Sequence, residues 1–320
     1  MKTILVTGGS GFIGQAVCQT LSLTYSVIAL DSRPCLTDQK NYVSLDVDIE
    51  DENALTHICK TYLPDVVIHC AGLAHQKLSN KKSAALYERI NSLATEKIAR
   101  ASVSANLGVY FIFLSSISVY GENQSEKAIK EIDKCLPTSD YAQSKLNAEN
   151  RLKKFYGAKR LKKLDILRLA PVYDAQWSMN LEKRVFSPKK LAYLRFGSGK
   201  QKMSALARAN LVGFIDFRVK QEMRLPFYNI INVCDEQACS FNEIIEIFQK
   251  TKYQPARIVI PIPLSLVKIP ARILSFLLKT KSVWIYSFYN KLANDLIFDN
   301  KKMLDTGFTP QSNLSSIFTK

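Results

Sequence analysis

The feature that most constrains the fold is a run of glycines directly behind a short apolar segment. Thr3–Thr7 has the pattern of a buried strand, and glycines follow before a helical pattern begins. This spacing lets a backbone turn sharply, approach a pyrophosphate and bring strand and helix close together. Backbone N–H groups and the helix dipole then bind the phosphates. We predict a dinucleotide-binding turn at Gly8, Gly11, Phe12, Ile13 and Gly14.

A carboxylate follows where such a turn requires one. Asp31 ends the second predicted strand, where it can accept hydrogen bonds from the adenosine ribose and repel a 2′-phosphate. This position predicts NAD rather than NADP as the cofactor, although Arg33 weakens the preference and a simple turn-capping role for Asp31 is the alternative. Asp48 and Ile49, behind the third predicted strand, are expected to flank the adenine.

Short apolar runs alternate with helical patterns through the first half of the chain. This order is typical of βαβ units, and near-continuous hydrophobicity indicates strands buried on both faces of a parallel sheet. We therefore predict an α/β fold: a Rossmann-type doubly wound parallel sheet over residues 1–170, and a smaller C-terminal α/β substrate domain over 171–320. A strand and helix near 205–235 are expected to rejoin the first domain.

The predicted strands of the first domain are Thr3–Thr7, Ser26–Asp31, Asn41–Asp46, Val66–Ala71, Val109–Ser115 and Leu164–Ala170. Its predicted helices lie near 12–22, 51–62, 83–106 and 140–156. Later elements are a strand at Tyr228–Cys234 and helices near 181–186, 208–221 and 241–250.

Tyr141 and Lys145 lie one helical turn apart and so share a helix face. A nearby ammonium stabilises phenolate and lowers the pKa of tyrosine, so that Tyr141 could remove a proton from a substrate hydroxyl. Ser116 follows a predicted strand at the carboxyl end of the sheet, where its hydroxyl could bind the reacting oxygen. We predict hydride transfer at a hydroxyl or carbonyl carbon, with Ser116, Tyr141 and Lys145 as catalytic residues.

Charge and cysteine usage limit the partners. The chain of 320 residues has a formal net charge of +16, but no nucleic-acid-binding motif accompanies it. We predict a phosphate-bearing small substrate and no nucleic acid; lysine-rich composition without functional meaning is the alternative. The seven cysteines and three histidines show no CxxC pair and no metal-ligand spacing, which predicts no metal, reduced thiols and a cytoplasmic location.

The stretch over residues 258–292 is apolar, aromatic and basic. Its lysines and arginine interrupt the run of about 20 apolar residues that a membrane-spanning helix needs, so no transmembrane segment is predicted. We expect a packed helix or lid of the second domain. The alternative is an amphipathic helix in weak peripheral contact with a membrane.

Together these residues resemble the extended short-chain dehydrogenase/reductase superfamily, in its nucleotide-sugar epimerase/dehydratase branch. The resemblance extends over essentially the whole chain. The matching motifs are TGGSGFIG at 7–14, VIHCAG at 67–72, FLSSISVYGE at 113–122, YAQSK at 141–145 and LRLAPVY at 167–173. Asp174 departs from the family pattern, because a glycine usually follows VY.

The resemblance implies roles for further residues, as well as a homodimer. It places Ala71, Pro171 and Val172 beside the cofactor, in addition to the glycine turn, Tyr141 and Lys145. It also implies that a UDP-linked sugar is bound by Ser116, Ser118, Asn180, Leu181 and Lys200.

Three positions limit the reaction that this chain is expected to catalyse. A 4,6-dehydratase of this branch carries an Asp-Glu pair where this chain has Ile117 and Ser118, which argues against dehydration. Asp31 favours a NAD-dependent 4-epimerase of a UDP-sugar, and the motifs most resemble acetamido-sugar members that act in surface polysaccharide synthesis. Alternatives are an NAD(P)H-dependent 4-ketoreductase of a UDP-4-keto-6-deoxy sugar and a non-catalytic nucleotide-binding protein on the same fold.

Overall fold

A computed structural model describes residues 1–33, 40–74, 80–121, 127–221, 227–251, 257–278 and 282–319. Cys35 and His75, which are among the cysteines and histidines counted above, lie outside these ranges. The strands are β1 Thr3–Thr7, β2 Ser26–Asp31, β3 Tyr42–Asp46, β4 Val66–His69, β5 Tyr110–Ser116, β6 Lys163–Leu169, β7 Val172–Tyr173, β8 Tyr193–Phe196, β9 Lys202–Met203, β10 Leu206–Ala207, β11 Phe227–Val233, β12 Cys239–Ser240 and β13 Val259–Ile262.

The helices are α1 Phe12–Leu21, α2 Glu52–Tyr62, α3 Asn80–Tyr87, α4 Ala94–Ala105, α5 Asp140–Gly157, α6 Met179–Val185, α7 Arg208–Lys220, α8 Phe241–Lys250, α9 Leu264–Leu277, α10 Ser282–Ala293, α11 Lys301–Leu304 and α12 Leu314–Phe318. Short 3-10 segments occur at Ile117–Tyr120 and Pro188–Lys190. A π-helical turn, Glu88–Leu93, separates α3 from α4, where the sequence predicts one regular helix.

The predicted α/β class is confirmed by a seven-stranded sheet of order β11-β6-β5-β4-β1-β2-β3. The pairs β1–β2, β2–β3, β1–β4 and β4–β5 are parallel. Strand order reverses between β1 and β4, and doubly wound sheets bind ligands outside the carboxyl ends of their strands at such a reversal. The glycine turn follows β1 at this point.

The described chain divides into two compact units. Unit 1 consists of Met1–Gly121, Pro137–Arg168 and Val212–Ile231, and unit 2 of the described residues within Glu122–Leu136, Leu169–Leu211 and Asn232–Lys320. Thus α7 and β11 largely belong with the first half of the chain. Which unit binds cofactor and which binds sugar stays a prediction.

Each unit has its own apolar core. In unit 1, side chains from the central strands pack with α2, α4 and α5, and Leu5, Val67 and Phe111 are fully buried. In unit 2, α6, α8 and α12 pack around aromatic side chains that include Tyr193 and Phe248. Several strands of unit 2 contain only two residues, which is too short for an alternating hydrophobic pattern. The sequence therefore does not predict them.

A buried ion pair ties α5 to the sheet. The Arg168 guanidinium on β6 binds the Glu149 carboxylate on α5 at 2.7 Å, and both side chains are 4% exposed. The Ser115 hydroxyl donates a 2.5 Å hydrogen bond to the same carboxylate, and the Tyr120 ring lies 4.7 Å from the guanidinium carbon. The Glu149 carboxylate is thus bound by an arginine from β6 and by a serine from β5.

The stretch at 258–292 contains the helices α9 and α10, which pack against each other. Most of α9 is exposed, including Leu266, Ile269 and Phe276, whereas Ile285 and Leu292 of α10 are buried. Within the described residues, no helix is both long and apolar enough to cross a bilayer.

Removal of one partner from the buried pair should be strongly destabilising. Arg168→Met leaves the Glu149 carboxylate buried without its cation, which should lower the free energy of unfolding by about 3–5 kcal/mol. Arg100→Met is the matched control, because Arg100 pairs with Glu52 at the surface and should cost no more than about 1 kcal/mol. Urea unfolding of both variants measures this difference; equal losses would contradict the importance of the buried pair.

Candidate active site

The glycine turn joins β1 to α1 in a conformation that side chains would prevent. Gly8 has φ +70°, and a Cβ there would lie 2.7 Å from the backbone nitrogen of Ala71, which follows β4. A Cβ on Gly14 would overlap the carbonyl oxygen of Gly8. The N–H groups of Gly8 and Gly9 donate to the Leu30 carbonyl at 2.7 and 3.2 Å, which fixes the turn against β2.

The start of α1 fits a pyrophosphate. Helix α1 begins at Phe12 behind Gly11, and no side chain caps its first N–H groups. Groups of this kind at a helix N-terminus bind anions. The Ser10 hydroxyl in the same turn is buried and has no hydrogen-bond partner among the described residues. A dinucleotide phosphate would supply the acceptors that this turn lacks, so the residues fit the predicted cofactor.

Asp31 ends β2 beside this turn. Its carboxylate accepts hydrogen bonds from the Ser10 and Arg33 backbone nitrogens, both at 3.1 Å. These bonds orient the carboxylate towards the glycine turn and leave it acceptor capacity for ribose hydroxyls. Asp48 is exposed and accepts from the Glu50 backbone nitrogen, and Ile49 beside it is half-buried, so both are available to a ligand.

Ser116 lies at the end of β5, where the chain enters a 3-10 turn. Its Oγ accepts hydrogen bonds from the backbone nitrogen and hydroxyl of Ser118, at 3.2 and 2.9 Å. Ile117 between them is buried. Two serine hydroxyls therefore stand together at this strand end, and the acidic pair of a dehydratase has no counterpart at these positions.

Tyr141 lies in the first turn of α5. The Ser139 side chain caps this helix by accepting from the Ala142 backbone nitrogen at 3.2 Å. The Tyr141 ring meets Tyr87 edge-on, with ring centroids 6.0 Å apart. Burial raises the pKa of Tyr141, a hydrogen bond with Ser116 lowers it, and Tyr87 raises it again. The structure thus brings the side chains of Ser116 and Tyr141 into hydrogen-bonding contact.

Lys145 lies one turn further along the same face of α5. Its Nζ donates to the Leu114 carbonyl at 2.9 Å and lies 4.9 Å from the centre of the Phe113 ring. The side chain is 5% exposed. Burial lowers the pKa of Lys145 to about 8, opposed by the electrostatic effect of Cys70 and Glu149. The ammonium is therefore mostly charged at neutral pH and close to its neutralisation point.

Asn91, which sequence reasoning missed, connects three parts of the site. From the π-helical turn its amide accepts from the Leu73 backbone nitrogen at 2.7 Å and donates to the Leu73 carbonyl and the Ser144 hydroxyl. The loop after β4 and helix α5 are thereby held to one side chain. Nothing in the local sequence pattern indicates this π-helical turn, although such turns are frequent at functional sites.

His69 is a structural residue. Its Nδ1 and Nε2 lie 2.6 Å from Thr7 Oγ1 and 2.9 Å from Thr95 Oγ1. Because Thr95 donates its own proton to the Asn91 carbonyl, we assign the ring proton to Nε2. Burial, followed by the charge of Lys145, lowers the pKa of His69 to about 3, so the ring is neutral.

The remaining predicted residues lie in unit 2. Val172 pairs with Leu206 across β7 and β10, and the Pro171 carbonyl accepts from the Leu206 nitrogen. Asn180 is half-buried and Lys200 is exposed. Leu181 is fully buried in the unit 2 core, so its side chain packs there and only its backbone is left for a ligand.

Asp174, the departure from the family pattern, has a local explanation. Its carboxylate accepts from the backbone nitrogens of Gln176 and Trp177, at 2.9 and 2.7 Å, and forms an ion pair with Arg208. Asp174 does not have a positive φ. This turn therefore does not need the glycine that is usual in the family.

Sequence comparisons identify the proteins to which this chain is similar. A profile of the NAD dependent epimerase/dehydratase family matches residues 4–203. A UDP-glucose 4-epimerase from Vibrio cholerae is 30% identical over 222 residues, which covers 67% of this chain and 65% of that protein. An N-acetyl-α-D-glucosaminyl-diphospho-undecaprenol 4-epimerase from Escherichia coli is 24% identical over 272 residues, 82% of this chain and 76% of that protein.

Solved structures show the same fold. A UDP-glucose 4-epimerase from Brucella ovis in complex with NAD superposes with a TM-score of 0.75 at 18% identity, covering 99% of this chain and 96% of the other. A UDP-glucuronic acid 4-epimerase from Bacillus cereus in complex with NAD gives 0.73 at 20% identity, with 98% and 95% covered. The family match includes the glycine turn, Ser116, Tyr141 and Lys145. The chain belongs to the NAD dependent epimerase/dehydratase family, whose members are enzymes that use NAD.

Proposed function

We propose that this chain is a 4-epimerase of a UDP-linked N-acetylhexosamine. The observation that carries the proposal is the Ser116, Tyr141 and Lys145 arrangement in unit 1, next to positions 117 and 118 that lack the acids of a dehydratase. The named activities of the Vibrio cholerae and Escherichia coli relatives, both 4-epimerases, support it. The second of these names an acetamido sugar, which agrees with the motif resemblance. Surface polysaccharide synthesis is the proposed use of the product.

Within this proposal the chain's own residues move one proton. The Tyr141 phenolate removes the proton of the sugar 4-hydroxyl, while Ser116 donates a hydrogen bond to the same oxygen and stabilises the charge that develops there. NAD, held by the glycine turn and Asp31, would supply the redox chemistry at the same carbon, as acceptor of its hydride and as the donor that restores it on the opposite face of the sugar. Tyr141 then gives the proton back to the oxygen, so that the reaction is redox-neutral overall.

Lys145 supplies the charge that this proton transfer needs. Burial raises the pKa of Tyr141, which opposes phenolate formation, and a hydrogen bond from Ser116 only partly offsets the effect. A buried ammonium on the same helix face, aided by the positive charge of the oxidised cofactor, favours the phenolate. Asp31 supports NAD over NADP, because its carboxylate would repel a 2′-phosphate.

The direct test is incubation of the purified protein with UDP-N-acetylglucosamine and catalytic NAD, with the products identified by NMR. The proposal expects the galacto epimer without net NADH. No conversion of this substrate, together with NAD(P)H-dependent reduction of a UDP-4-keto-6-deoxy sugar, would overturn the proposal in favour of a 4-ketoreductase. If only a lipid-diphosphate-linked sugar were converted, the substrate would be the lipid-linked sugar and not the UDP-linked one.

Replacement of the proposed base should stop the reaction. Tyr141→Phe removes the hydroxyl and should lower kcat by about 10²–10⁴, because general-base catalysis contributes that much. The variant should still bind NAD, as measured by isothermal titration calorimetry. Tyr87→Phe is the matched control, since it keeps the ring that contacts Tyr141 and should retain most activity. Full turnover by Tyr141→Phe would be incompatible with the mechanism.

The pH dependence of kcat should show the titration of Lys145. As the pH rises through about 8 the ammonium loses its proton, the phenolate loses its counter-charge, and kcat should fall. The residual activity of Lys145→Met should lack this alkaline decrease, whereas Lys153→Met, at an exposed position of the same helix, should keep it. A wild-type kcat that stays constant from about pH 7 to about pH 10 would contradict this role.

A further inference from the structure

The outer face of α9 is apolar and exposed. Within residues 258–278, nine large apolar side chains are more than a third exposed, the highest value being 76% for Phe276. Contiguous apolar surface of this kind on a protein marks an interaction site. The nine residues are Ile258, Ile260, Leu266, Ile269, Ile273, Leu274, Phe276, Leu277 and Leu278.

Four of the exposed residues form one face of α9. Leu266, Ile269, Ile273 and Leu277 follow one another at spacings of three and four, which places them along one side of a helix. A helix of a globular protein normally turns such a side towards the core. In α9 the buried position is Ser275, whose hydroxyl bonds to the Arg272 carbonyl at 2.8 Å. The apolar side of α9 is therefore exposed rather than buried against the core.

The surrounding chain is uniformly basic. Between Glu246 and Asp295 the sequence contains no carboxylate and eight lysines or arginines. Two of these, Lys268 and Arg272, lie on α9 itself and are exposed. Helical geometry places Arg272 near one edge of the apolar side and Lys268 further round the helix, towards the side of Ser275. The segment therefore combines an exposed apolar face with positive charge that no acid in the same stretch neutralises.

We propose that α9 binds the surface of an anionic lipid bilayer, with its apolar side inserted among the acyl chains and Lys268 and Arg272 at the lipid phosphates. This is the composition of a helix that lies in a membrane interface. With 14 residues α9 is too short to span a bilayer. A second copy of the chain is disfavoured as the occupant, because two like-charged surfaces repel each other. The inference is independent of the proposed reaction.

The test is flotation of the full-length protein with vesicles of phosphatidylethanolamine and phosphatidylglycerol, compared with vesicles of phosphatidylcholine. The wild type should float with the anionic vesicles, and added salt should weaken the binding. Ile273→Asp combined with Phe276→Asp should abolish flotation. Leu23→Asp combined with Leu107→Asp is the control, because it adds the same charge at exposed apolar positions of unit 1. Unchanged thermal unfolding midpoints would show that all variants fold.

The charge contribution has its own matched pair. Lys268→Gln with Arg272→Gln should weaken binding to anionic vesicles by about thirtyfold, since each basic residue near such a surface contributes roughly fivefold. Lys153→Gln with Lys154→Gln removes the same charge from exposed positions on α5 and should have little effect. Absence of wild-type flotation would overturn the proposal. So would a conversion of dimer to monomer by Ile273→Asp with Phe276→Asp, in sedimentation velocity, without loss of lipid binding.

Discussion

The arrangement of the candidate site depends on the buried contact between Glu149 and Arg168. Tyr141, Lys145 and Glu149 recur every four residues, so they form one stripe along α5. The carboxylate at the inner end of this stripe is bound by Arg168 from β6 and by Ser115 from β5. Rotation of the helix about its axis would break both contacts in a low-dielectric interior. The pair therefore fixes which way the tyrosine and the lysine face.

Burial of the site has a second effect, on protonation. Around Lys145 the described part of the chain provides a carbonyl, an aromatic ring and a neutral imidazole, but no carboxylate in an ion pair with the ammonium. The lysine is therefore held closer to neutrality than a surface lysine, and Tyr141 is held away from ionisation. Both shifts disfavour separated charge before substrate and cofactor enter. A charged cofactor then changes the electrostatic balance more than it could in a solvated site.

Much of this could be predicted from the sequence, because the strongest signals are local. The strand, glycine turn and helix at the N-terminus, and the spacing of Tyr141 and Lys145, each need only a few neighbouring residues to be recognised. Asn91, Arg168 and the division into discontinuous units could not be predicted. Their roles depend on residues distant in the chain: Asn91 binds Leu73 and Ser144, and Arg168 binds Glu149. Periodicity predicts that α9 is amphipathic but carries no information on which side is covered.

The π-helical turn at Glu88–Leu93 makes the helix less regular but positions Asn91 for the contacts of the site. A π-helical turn contains one residue more than the regular helix around it, so deletion of a single residue there would restore regular hydrogen bonding. The same deletion would rotate one end of the helix by about 100° relative to the other. Asn91 would then turn away from Leu73 or from Ser144. The deletion would therefore make the helix more regular, but it would break the connection that Asn91 makes between the loop after β4 and the helix that carries Tyr141.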